Sequence, residues 1–256
     1  MRRWAVNELR ALALAAQFLT RLPIPAREPY SPQHLAAGVR YYPLVGAVVG
    51  GLCAAVFLLA QLWLTPFVAV LLAVGSGLAL TGAFHEDGLA DTFDGIGATA
   101  DRDRALEIMR DSRLGTYGTT ALVIALGLKV AALSSLAPVT VCIALIAGHG
   151  LSRLSSIAAM QTSNYVREAG AATPVANRLD PRGWFVVLLS GVVLVACVAW
   201  LLAPLAAGLA LAGLVVGHVL MRLFFERKLG GYTGDTLGAV QQASEIGFYL
   251  GVCAWP

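Results

Sequence analysis

Between Phe84 and Gly95 the chain reads FHEDGLADTFDG, which places four carboxylates and an imidazole within ten positions. Eight of the 15 acidic residues lie between Glu86 and Asp111. If 85–94 is helical, Asp87, Asp91 and Asp94 at i, i+4 and i+7 share one face, where like charges repel unless something positive sits among them. Mg²⁺ is the natural candidate, because it binds through a few carboxylate oxygens together with substrate phosphates. Glu86 supplies a further oxygen in the same stretch. Zinc fits less well, since His85 is the sole histidine here and no cysteine is near. The alternative is a solvated acidic loop, and that reading is preferred for Asp101 and Asp103, which precede the helical pattern RALEIMR as capping and dipole partners.

The next stretch, RALEIMRDSRLGTYG at 104–118, puts Arg104, Glu107 and Asp111 on one helical face, with Arg110, Ser112 and Arg113 around the helix end. Guanidinium forks and hydroxyls beside a metal site suit a phosphoryl or pyrophosphate group, and intrahelical ion pairs are the competing reading. A second polar stretch, GGYTGDTLGAVQQASEIG at 230–247, carries Thr233 and Asp235 into an apolar segment that contains Glu245. A carboxylate at that depth is costly and marks a functional position, expected to pair with Arg153 or Arg222; a packing role is the alternative. Arg153 itself either joins the phosphate-binding set or snorkels to the interface.

These groups must be positioned by a bundle inside a membrane. The 256 residues are 58% hydrophobic and 13% charged, with a mean hydropathy of +0.74. Apolar stretches of about 20 residues, enough to cross a hydrocarbon core, recur at 44–64, 66–83, 117–136, 139–160, 184–203, 205–225 and 236–254. The fold class expected is therefore all-α: a polytopic helical bundle of about seven transmembrane helices in a single domain, 1–256, plus an N-terminal amphipathic or re-entrant helix over 4–22. Tight uncharged breaks near Pro66, Pro138 and Pro204 alternate with long polar loops at 23–43, 84–116, 161–183 and 226–235, so all four polar loops emerge on one side. They hold eleven of the 18 basic residues, and the positive-inside bias puts them in the cytoplasm. Tyr41, Tyr42, Trp63, Tyr117, Trp184 and Trp200 fit an interfacial belt. Four isolated cysteines read as small buried hydrophobes. The formal charge of +3 sits on a few loops and does not suggest nucleic-acid binding.

The three polar stretches, together with FLTRLPIP and YYPLVGAVVG near the start, resemble the cobalamin synthase family, integral membrane adenosylcobinamide-GDP ribazoletransferases of late B12 assembly. The resemblance runs in order along nearly the whole chain. It implies an enzyme of the inner membrane in which the ribose hydroxyl of α-ribazole, or of its phosphate, attacks the activated phosphate of adenosylcobinamide-GDP with Mg²⁺ as cofactor and GMP as leaving group. On that chemistry Asp87, Asp91, Asp94 and Glu86 are the metal-binding candidates. Glu107, Asp111 and His85 are the catalytic candidates, one of them taking the hydroxyl proton. Arg104, Arg110, Ser112, Arg113, Arg153, Thr233, Asp235 and Glu245 are the substrate-binding candidates. One departure is Glu86, where the family pattern His-Leu-Asp-Gly has an apolar residue. Two rivals remain: a CDP-alcohol phosphotransferase, since DTFDGIGA reproduces Asp-x2-Asp-Gly-x2-Ala but has Thr99 where arginine is expected, and a cation transporter, which would place acids in several spans.

Overall fold

The computed structural model describes residues 2–25, 31–111, 113–167 and 178–255. Its elements are α1 (Arg2–Leu19), α2 (Pro32–Gly38), a 3₁₀ turn (Val39–Tyr41), α3 (Tyr42–Ala60), α4 (Pro66–Thr81), α5 (Phe84–Ala98), α6 (Arg102–Ile108), α7 (Thr116–Ser134), α8 (Pro138–Thr162), α9 (Pro181–Leu201), α10 (Pro204–Leu229) and α11 (Gly234–Cys253). Among the described residues the β-structure is a single bridge between Tyr165 and Tyr232. Proline opens α2, α4, α8, α9 and α10, where its missing N–H costs nothing.

The fold is the expected all-helical membrane bundle. Each of the seven apolar stretches coincides with a helix: α3, α4, α7, α8, α9, α10 and α11. By length and apolarity five helices qualify as spans among the described residues, or six if α4 and α5 are taken as one bent pair. The shortfall from seven has a physical origin. α4 is only 16 residues long, and α11 carries Gln241, Gln242 and Glu245 in its middle. α11 is nevertheless the central helix, packed on α5, α7, α8 and α10. Its Gly247 and Gly251 meet the backbone of α10, a small-residue contact of the kind that lets membrane helices approach closely.

α4 ends in two consecutive left-handed residues, Gly82 (φ 66°) and Ala83 (φ 55°), and the chain leaves at 88° to enter α5. The acidic stretch therefore lies on a helix turned sharply away from α4 and set against the N-terminal end of α11. α1 is amphipathic as expected, and buries Ala11, Ala15 and Leu19 at a four-residue spacing.

The polar loops meet at that same end. Arg102 Nε donates to Leu229 O (2.8 Å), Lys228 Nζ to Thr99 O (2.6 Å) and Arg21 N to Leu80 O (2.7 Å). At the opposite end Trp63 and Trp200 stand 80% and 87% exposed beside the tight turns, as belt residues would. Tyr42 does not join that belt, because its ring is buried and stacked on Phe18. Of the cysteines, Cys53 alone is fully in the core, and Cys197 faces outward from α9.

Candidate active site

The face expected on α5 forms, and it is graded in depth: Asp87 is exposed, Asp91 half-buried and Asp94 buried. Asp94 turns to a structural task. Gly115 N–H donates to its Oδ2 (2.7 Å) and Gly118 N–H to its Oδ1 (2.8 Å), so it satisfies the open first turn of α7.

A third carboxylate takes its place beside the other two. α11 begins against α5 at Gly88, where any Cβ would strike the backbone of Asp235. The resulting approach brings the Asp235 side chain to Asp87 and Asp91. Burial and the charges of Asp235 and Asp87 push the Asp91 carboxyl up from 3.8 to about 7. Arg167 Nη2 lies 2.8 Å from Asp235 Oδ2 and donates to Met109 O (3.3 Å). Its loop is held by the pair Tyr232 N–H to Asn164 O (2.8 Å) and Val166 N–H to Tyr232 O (3.0 Å).

Three carboxylates from two helices thus crowd together beside one arginine. Among the described residues no three His, Cys, Asp or Glu side chains stand close enough to enclose an ion by themselves.

The α6 region is more exposed than the site it borders. Asp101 caps α6 as expected, accepting Arg104 N–H at 2.7 Å, and Asp103 pairs with Arg102 in solvent. Arg104 pairs with Glu107 (2.6 Å) and Arg113 with Asp111 (2.7 Å), while Arg110 is exposed. Hydrogen bonds from Arg113 hold the Asp111 carboxyl below the usual range. Ser112 lies outside the described residues.

Glu86 points the other way from Asp87, into the bundle. Its Oε1 accepts from Gln242 Nε2 (2.8 Å) and lies 3.7 Å from Lys129 Nζ. Glu86 is therefore placed with the interior groups and not with the acidic face. Glu245 is fully buried, but its charged partner is Lys129 at 2.8 Å; Tyr249 Oη donates to it at 3.1 Å, and His149 Nδ1 lies 3.6 Å away. Neither expected arginine is the partner. Arg222 bonds Glu226 and Thr162 (2.9 and 2.6 Å), and Arg153 donates to His149 O (2.8 Å). Gln241 bridges Glu245 and Ser152. Two cations and two carboxylates are thus enclosed together. His85 is buried at the junction of this network with the recess behind the acidic face. Thr233 is buried as the N-cap of α11 in a capping box with Thr236.

Sequence reasoning passed over Lys129 and left Arg167 as a loop arginine without an assigned role. The signal for Lys129 was present: an ammonium inside an apolar span demands a buried partner by the argument already applied to Glu245. Arg167 carried no comparable signal, because it sits in a polar loop whose pairing with 230–235 is a tertiary event.

The chain matches the family model described as cobalamin-5-phosphate synthase over residues 11–253. It is similar to the adenosylcobinamide-GDP ribazoletransferase of Leptothrix cholodnii, 44% identical over 96% of both chains. It is also similar to those of Ralstonia pickettii, 41% identical over 98% of this chain and 99% of the relative, and Shewanella frigidimarina, 40% identical over 97% and 96%. No solved structure matches the chain.

Proposed function

Because the chain belongs to the cobalamin-5-phosphate synthase family, we propose that it joins adenosylcobinamide-GDP to α-ribazole or its 5′-phosphate, releases GMP, and depends on Mg²⁺. The observation that supports this reading best is the convergence of Asp87 and Asp91 on α5 with Asp235 on α11 beside Arg167. Nucleotide displacement from a pyrophosphate requires charge neutralisation and an oriented hydroxyl. Bound between these carboxylates, Mg²⁺ would neutralise the pyrophosphate and the departing phosphate.

The remaining work falls to the chain's own groups. Arg167 is held at the acidic face by Asp235 and meets phosphate oxygens there. Arg104 and Arg113 on the exposed α6 region exchange their surface pairs with Glu107 and Asp111 for substrate phosphate, at little cost because such pairs are weak, and the exposed Arg110 joins them. A carboxylate freed in that exchange, Glu107 or Asp111, accepts the ribose hydroxyl proton. The interior pair Lys129–Glu245, through Glu86 and Gln242, fixes α5 against α11 and so sets the spacing of the three acids. On this reading the site opens to the cytoplasm from the inner membrane, where charged nucleotide substrates are found.

The test is purification in detergent and incubation with adenosylcobinamide-GDP, α-ribazole or its phosphate, and Mg²⁺. Corrinoid product and stoichiometric GMP are expected. Cation flux into proteoliposomes without nucleotide, and no GMP, would replace this reading with transport.

A further inference from the structure

Behind the acidic face, α1, α3, α5, α8 and α11 leave a recess of about 90 Å³. Its apolar wall is Phe18, Leu19, Tyr42, Phe84, Met160 and Leu237, the buried His85, Arg153 and Ser156 line it as well, and the less buried Asp87 and Asp235 stand at its rim. The rings are organised. Phe18 and Tyr42 are near-parallel (centroids 6.0 Å apart, interplanar angle 10°), and Phe84 meets Phe18 edge-on at 5.4 Å. Two buried lining residues also leave polar atoms without a partner: Tyr42 Oη and Arg153 Nε. Tyr42 is 5% and Arg153 1% exposed. A buried donor without an acceptor costs free energy, and a bound ligand with a matching acceptor removes that cost.

We infer that this recess is the base-binding pocket of the site and takes the methylated benzimidazole edge of α-ribazole. The inference rests on the proposed function, which supplies the two reactants. Of their flat groups, guanine has polar atoms along its edges and no methylated edge for the apolar wall of Phe18, Leu19, Met160 and Leu237, and His85, Ser156 and Arg153 are the buried polar residues that also line the recess. The dimethyl edge of the benzimidazole is apolar and suits that wall, while Tyr42 Oη and Arg153 Nε are the donors available to a ring nitrogen. Because Asp87 and Asp235 form the rim of the recess, a base held inside leaves its ribose at the carboxylates, where the attacking hydroxyl has to be. The recess thus sets which base is accepted, and the acidic face performs the transfer.

The experiment measures equilibrium binding of α-ribazole to the full chain in detergent, without the corrinoid substrate, alongside KM for each substrate. Wild type should prefer α-ribazole to the unsubstituted benzimidazole riboside by about tenfold, the scale of two buried methyl groups. Tyr42→Phe should weaken α-ribazole about threefold to tenfold, as loss of one hydrogen bond does, and Phe18→Leu should weaken it further. KM for adenosylcobinamide-GDP should stay within about twofold in both, well below the effect of losing a single contact. Thermal stability reports whether Phe18→Leu is folded, and Tyr42→Phe removes a single atom that bonds nothing in the free chain. Unchanged α-ribazole affinity in Tyr42→Phe and folded Phe18→Leu, with turnover intact, overturns the pocket and leaves the proposed function standing. A raised KM for the corrinoid substrate alone overturns it in favour of guanine. Recess-dependent α-ribazole binding without GMP release would support the pocket and remove the transfer reaction.

Discussion

Lys129 Nζ of α7 lies 2.8 Å from Glu245 Oε1 of α11, and the two side chains are 4% and 1% exposed. Few arrangements in a membrane protein are as sensitive to the loss of one partner. The pair is closed on both sides, by Gln241 and Tyr249 toward Glu245 and by Glu86 at 3.7 Å toward Lys129. Lys129→Met should cost about 3–5 kcal/mol of stability, because it leaves Glu245 buried without its cation. The double variant Lys129→Met/Glu245→Gln leaves one cation, Arg153, and one carboxylate, Glu86, so it should recover part of that loss. Thermal unfolding in detergent reads both. A single variant as stable as wild type, or a double variant that loses the sum of its singles, would show the pair to be uncoupled.

Asp91 combines partial burial with two neighbouring carboxylates, and its pKa of about 7 would make the proposed Mg²⁺ binding a competition with protons. Asp91→Asn should lower turnover by more than about 100-fold, beyond the cost of residues that only orient ligands, with the fold retained. Asp103→Asn, in a solvent-exposed pair with Arg102, should cost at most about 1 kcal/mol. In wild type the Mg²⁺ concentration for half-maximal rate should rise as pH falls through 7, since the protonated carboxyl must release its proton. Stability runs in the matching direction. The folded pKa lies above the unfolded value of 3.8, so the metal-free folded state binds the extra proton between these values. Its stability should therefore decline as pH rises from about 4 to about 7, and Mg²⁺ should restore it above 7. A half-saturation constant flat between pH 6 and 8 would detach Asp91 from the metal.

Much of this architecture was legible in the sequence because it depends on local pattern. Seven apolar stretches became seven helices, Asp101 became a cap, and Asp87 and Asp91 share a helical face. What was not legible depends on rotation and on contacts far apart in the chain. Glu86 and Asp87 are adjacent residues on opposite sides of α5, one facing Lys129 and the other solvent, and only the packing of α5 on α7 and α11 decides which is which. Asp235 and Arg167 join the acids across chain separations that no periodicity reports. Asp94 satisfied the helical spacing and still went elsewhere, because the α7 N-terminus needed an acceptor.

That role of Asp94 can be separated from a metal-binding role. Asp94→Asn keeps one carbonyl acceptor and loses the charge facing the first turn of α7, whereas Asp94→Ala loses both bonds to Gly115 and Gly118. Stability should fall by about 1 kcal/mol in the first and about 2 kcal/mol in the second, the range of helix caps. Half-saturation by Mg²⁺ should move less than about twofold in Asp94→Asn, against the large loss for Asp91→Asn. A strong rise in the Mg²⁺ requirement of Asp94→Asn at unchanged stability would return Asp94 to the metal set.

The last prediction concerns sidedness. Eleven of the 18 basic residues lie in the four polar loops. Bonds such as Arg102 to Leu229 and Lys228 to Thr99 draw these loops to one end of the bundle, while the turns at Trp63, Ser135 and Leu202 lie at the other. Geometry gives the loops one shared end, and from the charge bias that end is expected to face the cytoplasm. In a variant with the four cysteines replaced by alanine, new cysteines at Asp103 and Arg178, both exposed, should react with an impermeant thiol reagent only after the cytoplasmic face is opened. A cysteine at Ser135, exposed in the turn between α7 and α8, should react in intact cells. Opposite labelling of Asp103 and Arg178 would break the bundle's shared polar end; labelling of both in intact cells would keep that end and invert the protein, so that nucleotide substrates would have to reach the site from outside the cell.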